Sequence, residues 1–319
     1  MPNKKIDIEA AAKAEIEKLE NSDVEQVQSL GNIKDIKSDF SAKNQVEEVN
    51  FANEIGWKTI DLQTLPTQGM FYPIGTKMAI RAATVGEIRH WSTMDESDIN
   101  SIENALNLVI EKCLQIVIPG KRAFHKDLKE IDRLYLIFAI RELTFKNGEN
   151  KLMTDVKNSS GSSHKIEITK DVISYFKPDQ KLLKFYSEVE RCFIFPLKSG
   201  EMFKMYLPSL GITSFLKNYR LKKQQEGKQL DEDFEKFAIF MFEDWRILND
   251  SVYENKHQES YNWSIEKLSV FSNVVDLFKG SVQPGITTMI EGEEVSASLN
   301  FPGGIKSLFV IPDVLDQLI

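Results

Sequence analysis

At 319 residues the chain can bury a substantial core, as one elaborated domain or two smaller ones. A hydrophobic share of 42% with 20 phenylalanines excludes a disordered chain. A net charge of -8 argues against a general nucleic-acid binder, which needs clustered lysine and arginine on a positive face.

Residues 1–50 stand apart, with seven lysines against eleven carboxylates and Phe40 as the only aromatic. Ile6, Ile8, Ile16 and Leu19 offer too little apolar area for a core of their own. Residues 1–53 are therefore expected to form an acidic arm, flexible or ordered by a partner, and the charged start at Lys4, Lys5, Asp7 and Glu9 is unlike a secretory signal. Further along, no apolar run approaches the ~20 residues of a membrane helix, so no stable membrane insertion is expected.

The stretch Leu65-Pro66-Thr67-Gln68-Gly69-Met70-Phe71-Tyr72-Pro73 reads as a stiff turn, because each proline fixes its own φ and biases the residue before it toward extended geometry. It delivers a short strand, Lys77-Met78-Ala79-Ile80-Arg81, into a helix that opens at Thr84-Val85-Gly86-Glu87-Ile88. Met70, Phe71 and Tyr72 form a compact apolar wedge on that turn, suited to packing either in the chain's own core or against a partner.

This order of turn, strand and helix resembles a baseplate hub, or hub-assembly, protein family of T-even-type contractile-tailed bacteriophages. The resemblance spans roughly residues 58–145 and implies a structural role in a tail baseplate, with other baseplate or hub proteins as partners, an oligomeric setting, and a place in the virion after assembly in the host cytoplasm.

Downstream, Ile99, Ile102, Leu106, Val109, Cys113 and Val117 recur at spacings of three and four, predicting an amphipathic helix that Pro119-Gly120 ends. Asp127, with Glu130 three residues on, is placed to cap the next helix. There Leu128, Ile131, Leu134, Tyr135 and Phe138, widened by Leu136, Ile137 and Ile140, predict an element central to the core. Period-two runs predict hairpins at 152–168, at 191–207 around Lys198-Ser199-Gly200, and at 286–300 around Glu291-Gly292-Glu293.

Helices are also expected over Ile212, Phe215, Leu216 and Tyr219, over Phe234, Phe237, Ala238, Met241, Trp245 and Leu248, and from a Ser264 cap through Leu268, Phe271, Val274, Val275 and Phe278 to a stop at Gly280. A terminal apolar run, Leu308, Phe309, Val310 and Ile311, is a second candidate partner surface beside Met70, Phe71 and Tyr72. The pattern as a whole is α+β: a helix-rich body with short antiparallel hairpins over 54–319, divisible into 54–180 and 181–319.

Chemistry is hard to place. His90, His125, His164 and His257 are widely spaced, and Cys113 and Cys192 sit among apolar residues as buried reduced thiols. The phage family often carries Cys-x-x-Cys knuckles on comparable hairpins, yet the turns here, Asn158-Ser159-Ser160-Gly161 and Glu291-Gly292-Glu293, hold no cysteine, so neither metal nor cofactor is expected. Pro119-Gly120-Lys121-Arg122 lacks the first glycine and the Ser or Thr of a phosphate loop, and the serines at 159–163 lack the spacing of a nucleophile elbow.

Glu142, Glu188, Glu190 and Asp244 are carboxylates that only the fold could pair for hydrolysis. The basic stripe Lys217, Arg220, Lys222, Lys223 and Lys228 runs directly into Asp231, Glu232 and Asp233, and reads as a solvated helix face or a protein docking edge. The expected function is therefore non-enzymatic and structural. Its rivals are an assembly chaperone absent from the finished particle, a tail-associated peptidoglycan hydrolase and, last, a nucleic-acid-binding regulator.

Overall fold

Alternation between short strands and helices begins at once, with β1 (Lys58–Ile60) pairing antiparallel to β2 (Lys77–Ile80) across the proline-rich turn. The computed structural model describes residues 56–145, 151–174, 180–281, 285–301 and 303–309, so the expected N-terminal arm, Val310 and Ile311 lie outside the described residues. Helix α1 (Val85–Ser92) follows β2, as the sequence predicts. A capping box starts it: the Thr84 hydroxyl accepts from the Glu87 N–H, and Glu87 Oε2 accepts from the Thr84 N–H at 2.7 Å. Arg81 at the end of β2 forks onto the same carboxylate at 2.7 and 3.0 Å, and these bonds hold Glu87 down at about 2.

The predicted helix over 99–117 is shorter than its apolar period. Helix α2 (Ile99–Cys113) stops at Cys113, and β3 (Leu114–Val117) continues as a strand paired with β2. Leu114 and Ile116 are buried while Gln115 and Val117 are only partly so, a period of two that the helical spacing of Cys113 and Val117 hides. Helix α3 (Glu130–Thr144) runs through the core with Leu136, Ile137, Phe138 and Ile140 fully buried. Asp127 does not cap it: the N-cap is Lys129, without a side-chain bond, and Asp127 is drawn instead into contacts with Arg246.

The predicted hairpin at 152–168 is β4 (Met153–Lys157) with β5 (Ser163–Glu167). After β6 (Ile173–Ser174) and the short α4 (Gln180–Leu183), β7 (Tyr186–Ser187), β8 (Cys192–Pro196) and β9 (Met202–Met205) form a second antiparallel sheet. Helix α5 (Leu210–Gln225) bears out the helix expected after Gly211.

One long helix is not formed over 234–248. Helix α6 (Glu232–Ala238) ends at Ala238, and the chain turns so that the Phe240 carbonyl accepts from the Tyr206 N–H at 2.9 Å. The polar α7 (Asp250–Ser260), capped by Asn249, then forms with only Tyr253 buried. Its weak apolar periodicity is why the sequence does not announce it. Ser264 precedes α8 (Ile265–Ser281) and accepts from the Lys267 N–H at 3.1 Å; Leu268 points outward, and the helix passes Gly280 to Ser281.

Finally β10 (Gly285–Ile290) and β11 (Glu293–Ser298) make the third predicted hairpin. β10 also pairs with β6, so a sheet crosses the boundary at 180/181. The described residues consequently do not part into 54–180 and 181–319. The largest apolar cluster joins α2, α3 and the first sheet to residues 286–309, a second gathers phenylalanines of β8, β9 and α8, and a third lies between α5, α6 and α7. The architecture is α+β, with small antiparallel sheets set around helices.

Candidate functional site

Backbone chemistry builds the turn first. Gln68 and Gly69 both adopt left-handed φ, +52° and +73°, and a Cβ on Gly69 would lie 3.0 Å from Leu62 Cβ, so a side chain there would meet both backbone strain and crowding. Successive turns close through Gln68 N–H to Leu65 O at 2.8 Å, Met70 N–H to Thr67 O at 3.0 Å and Thr76 N–H to Pro73 O at 3.1 Å.

A buried carboxylate then locks the turn onto α3. Asp132 accepts from the Thr67 N–H at 3.0 Å, from the Thr67 hydroxyl at 2.8 Å and from the Tyr72 hydroxyl at 2.6 Å. The Tyr72 oxygen in turn accepts from the Lys129 N–H at 2.9 Å, so this interior group is satisfied on both sides. Burial pushes the Asp132 carboxyl up to about 6 despite its donors, and burial together with the neighbouring Asp132 raises the Tyr72 phenol well above its usual range. The sequence carries one clue to Asp132: it is a carboxylate within a helix whose apolar residues occupy almost every face.

Of the two roles open to the wedge, own core or partner contact, Phe71 and Tyr72 take the first and are buried in the chain's own core. The turn lies where two clusters meet: Phe71 packs with Phe193 at 5.6 Å and Tyr186 at 5.3 Å between ring centroids, while Tyr72 belongs to the cluster around α3. Met70 is half-buried, and its carbonyl accepts from Tyr186 and from Arg191.

Leu308 and Phe309 are likewise interior. Phe309 meets the edge of Trp91 at 5.1 Å, and the Trp91 indole N–H donates to Lys306 O at 3.1 Å, so this run pins the C-terminal segment to α1. Both pairs are strongly apolar, and such side chains are the ones a core takes up first.

Exposed apolar surface appears one step further on. Ile74, 81% exposed, and Val189, 93% exposed, stand beside a cleft of about 600 Å³ that also takes in Phe71, Pro73, Lys129, Arg191, Tyr206 and Glu243. Lys129 is half-buried there; burial lowers its ammonium to about 8, and Nζ donates to Leu207 O at 3.1 Å. Deeper in, Arg246 grips Asp127 with two bonds of 2.6 Å, and Asp127 also accepts from the Phe124 N–H at 2.9 Å and the Trp245 indole at 3.2 Å. Burial alone would raise Asp127, but these bonds outweigh it and hold the carboxyl below its ordinary value.

The carboxylates considered for hydrolysis are partly gathered here. Glu188 and Glu190 line the cleft, Asp244 lies in its inner extension, and Glu142 is elsewhere, paired with Lys170 at 3.0 Å. Glu190 is paired with Lys204, and Asp244 with Arg246 at 3.1 Å. Cys113 and Cys192 are free and buried, their thiols pushed by burial to about 12 and about 11, which makes them poor nucleophiles near neutral pH. Among the described residues no group of His, Cys, Asp and Glu is arranged to hold a metal ion, and no helix is long and apolar enough to cross a membrane.

Sequence reasoning missed Asp132, Lys129, Arg246, Ile74 and Val189. Of these, Asp132, a carboxylate in an otherwise apolar helix, and Ile74, next to the proline turn, carried a local signal. No family model, curated protein or solved structure matches the chain.

Proposed function

We propose that this chain is a structural component of a phage tail baseplate hub, held in the virion and acting through stoichiometric contact with neighbouring baseplate subunits. The reading rests on the resemblance over 58–145 and, above all, on one observation: a turn immobilised from inside by Asp132 presents Ile74 at its outer end, across a cleft from Val189. Two highly exposed aliphatic side chains on a rigid support suit docking, because a partner can desolvate them without first ordering the backbone that carries them. The strongly shifted groups nearby are spent on internal bonds. Asp132 serves Thr67 and Tyr72, and Lys129 serves the Leu207 carbonyl, which fits positioning better than turnover.

Co-expression with tagged hub subunits tests this. The wild-type chain is expected to co-purify, and Ile74→Asp/Val189→Asp is expected to lose most of that association while keeping its melting temperature, since both residues are exposed. Mass spectrometry of purified virions should find the chain. Unaltered association of the double variant would remove the cleft face from the reading, and absence from virions would favour an assembly chaperone.

A further inference from the structure

On another face, α5 (Leu210–Gln225), the 226–230 loop, α6 (Glu232–Ala238) and Lys279 of α8 border an open groove of about 730 Å³. Its charge is the reverse of the chain's: Lys217, Arg220, Lys228, Lys236 and Lys279 face only Glu232 and Glu235 along its walls, in a molecule of net charge -8. Leu216, Leu230 and Ile239, all half-buried, give the same groove an apolar component.

Most of the basic stripe is already neutralised within the chain. Arg220 pairs with Glu235 at 2.7 Å, Lys222 with Asp250 at 2.5 Å, Lys223 with Glu254 at 2.8 Å, Lys228 with Glu226 at 2.9 Å and Lys236 with Asp233 at 2.8 Å. Lys217 is the exception. Its Nζ exposes less than 1 Å² and has no hydrogen-bond partner among the described residues. An ammonium covered from water and left without a hydrogen-bond acceptor is costly, and the cost is recovered when an acceptor arrives. Lys217 lines the groove, so an anionic group entering it meets that ammonium after a small rotation of a flexible stem.

We propose that this groove binds an acidic peptide segment of a partner protein, pairing one of its carboxylates with Lys217 and laying its aliphatic side chains on Leu216, Leu230 and Ile239. A nucleic acid fits less well, because its regularly spaced phosphates would pass Glu232 and Glu235, and because Arg220, Lys228 and Lys236 are committed to internal pairs. The inference concerns a site apart from the Ile74 cleft and does not depend on the baseplate reading.

Fluorescence anisotropy of the full chain with a labelled short peptide of leucine, serine and glutamate tests it, with the glutamine version of the peptide and an oligothymidylate as comparisons. The wild-type chain should bind the acidic peptide in preference to both. Lys217→Met should weaken binding by about tenfold or more, the order expected for a desolvated charge pair, and Lys217→Arg should retain most of it. The melting temperature of free Lys217→Met should equal or exceed that of the wild type, because the variant discards a covered ammonium that has no hydrogen-bond acceptor among the described residues. Leu230→Asp, which adds a carboxylate at the groove, should also weaken binding. Peptide binding that is absent from the wild type, unchanged in Lys217→Met and Leu230→Asp, or weaker than oligothymidylate binding would overturn the proposal.

Discussion

At the scale of single residues, Asp132 gives the clearest consequence. Its carboxyl sits at about 6 in the folded chain because it is buried, whereas an aspartate in an unfolded chain titrates near ~3.9. Between those values the folded state keeps a proton that the unfolded state has released, so the Asp132 contribution is most favourable below about pH 4 and declines as pH rises through 6. The gap corresponds to about 3 kcal/mol. Glu87 acts oppositely: held at about 2 by Arg81, it contributes stability that is lost as pH falls from about 4.5 toward 2. Denaturant titrations of wild type and Asp132→Asn across pH 4 to 7 should therefore diverge, the wild type losing about 2 kcal/mol relative to the variant over that window. Parallel curves would mean that Asp132 is not the group that titrates.

At the scale of elements, α5 (Leu210–Gln225) depends on a residue that does little for a helix in isolation. Gly211 lies in its first turn directly beneath Trp245, and a Cβ there would fall within the indole. Trp245 is held in place by its bond to Asp127, which Arg246 also grips, so the ring has little freedom to retreat. Gly211→Ala should raise helix propensity by about 1 kcal/mol yet lower global stability by about 3 kcal/mol or more through overpacking, measured by chemical denaturation. A variant as stable as wild type would show that Trp245 can swing aside.

The sequence placed this helix by the stripe Ile212, Phe215, Leu216 and Tyr219 but could not reveal why a glycine stands in its first turn. Elsewhere an apolar period misled in a consistent way. Val117 continues the spacing of α2 but belongs to β3, and Trp245 and Leu248 continue the spacing of α6 after the chain has turned. In both places the next stretch is claimed by a non-local partner, β2 in one and the Tyr206 backbone in the other.

For the whole molecule, the described segments are interwoven rather than sequential. β10 pairs with β6, Leu308 and Phe309 complete the cluster around α3, and the adjacent Phe71 and Tyr72 are shared between two clusters. Damage at one end should therefore be felt at the other, and calorimetry of the full chain should show residues 56–309 melting in one cooperative transition. Two well-separated transitions within that region would contradict the interweaving and restore the division at 180/181.

What the sequence alone determined was local and periodic. The three hairpins follow from period-two runs joined by short polar turns, α3 from its dense apolar arc, and the strand-to-helix step at 77–88 from a proline-stiffened turn, all set by interactions between near neighbours in the chain. Only the tertiary structure decided which greasy residues stay outside and which charges go unpaired. Phe71 and Phe309 turned inward while Ile74 and Val189 stayed out, and Lys217 was isolated among paired cations, because burial and ion pairing depend on segments up to two hundred residues apart.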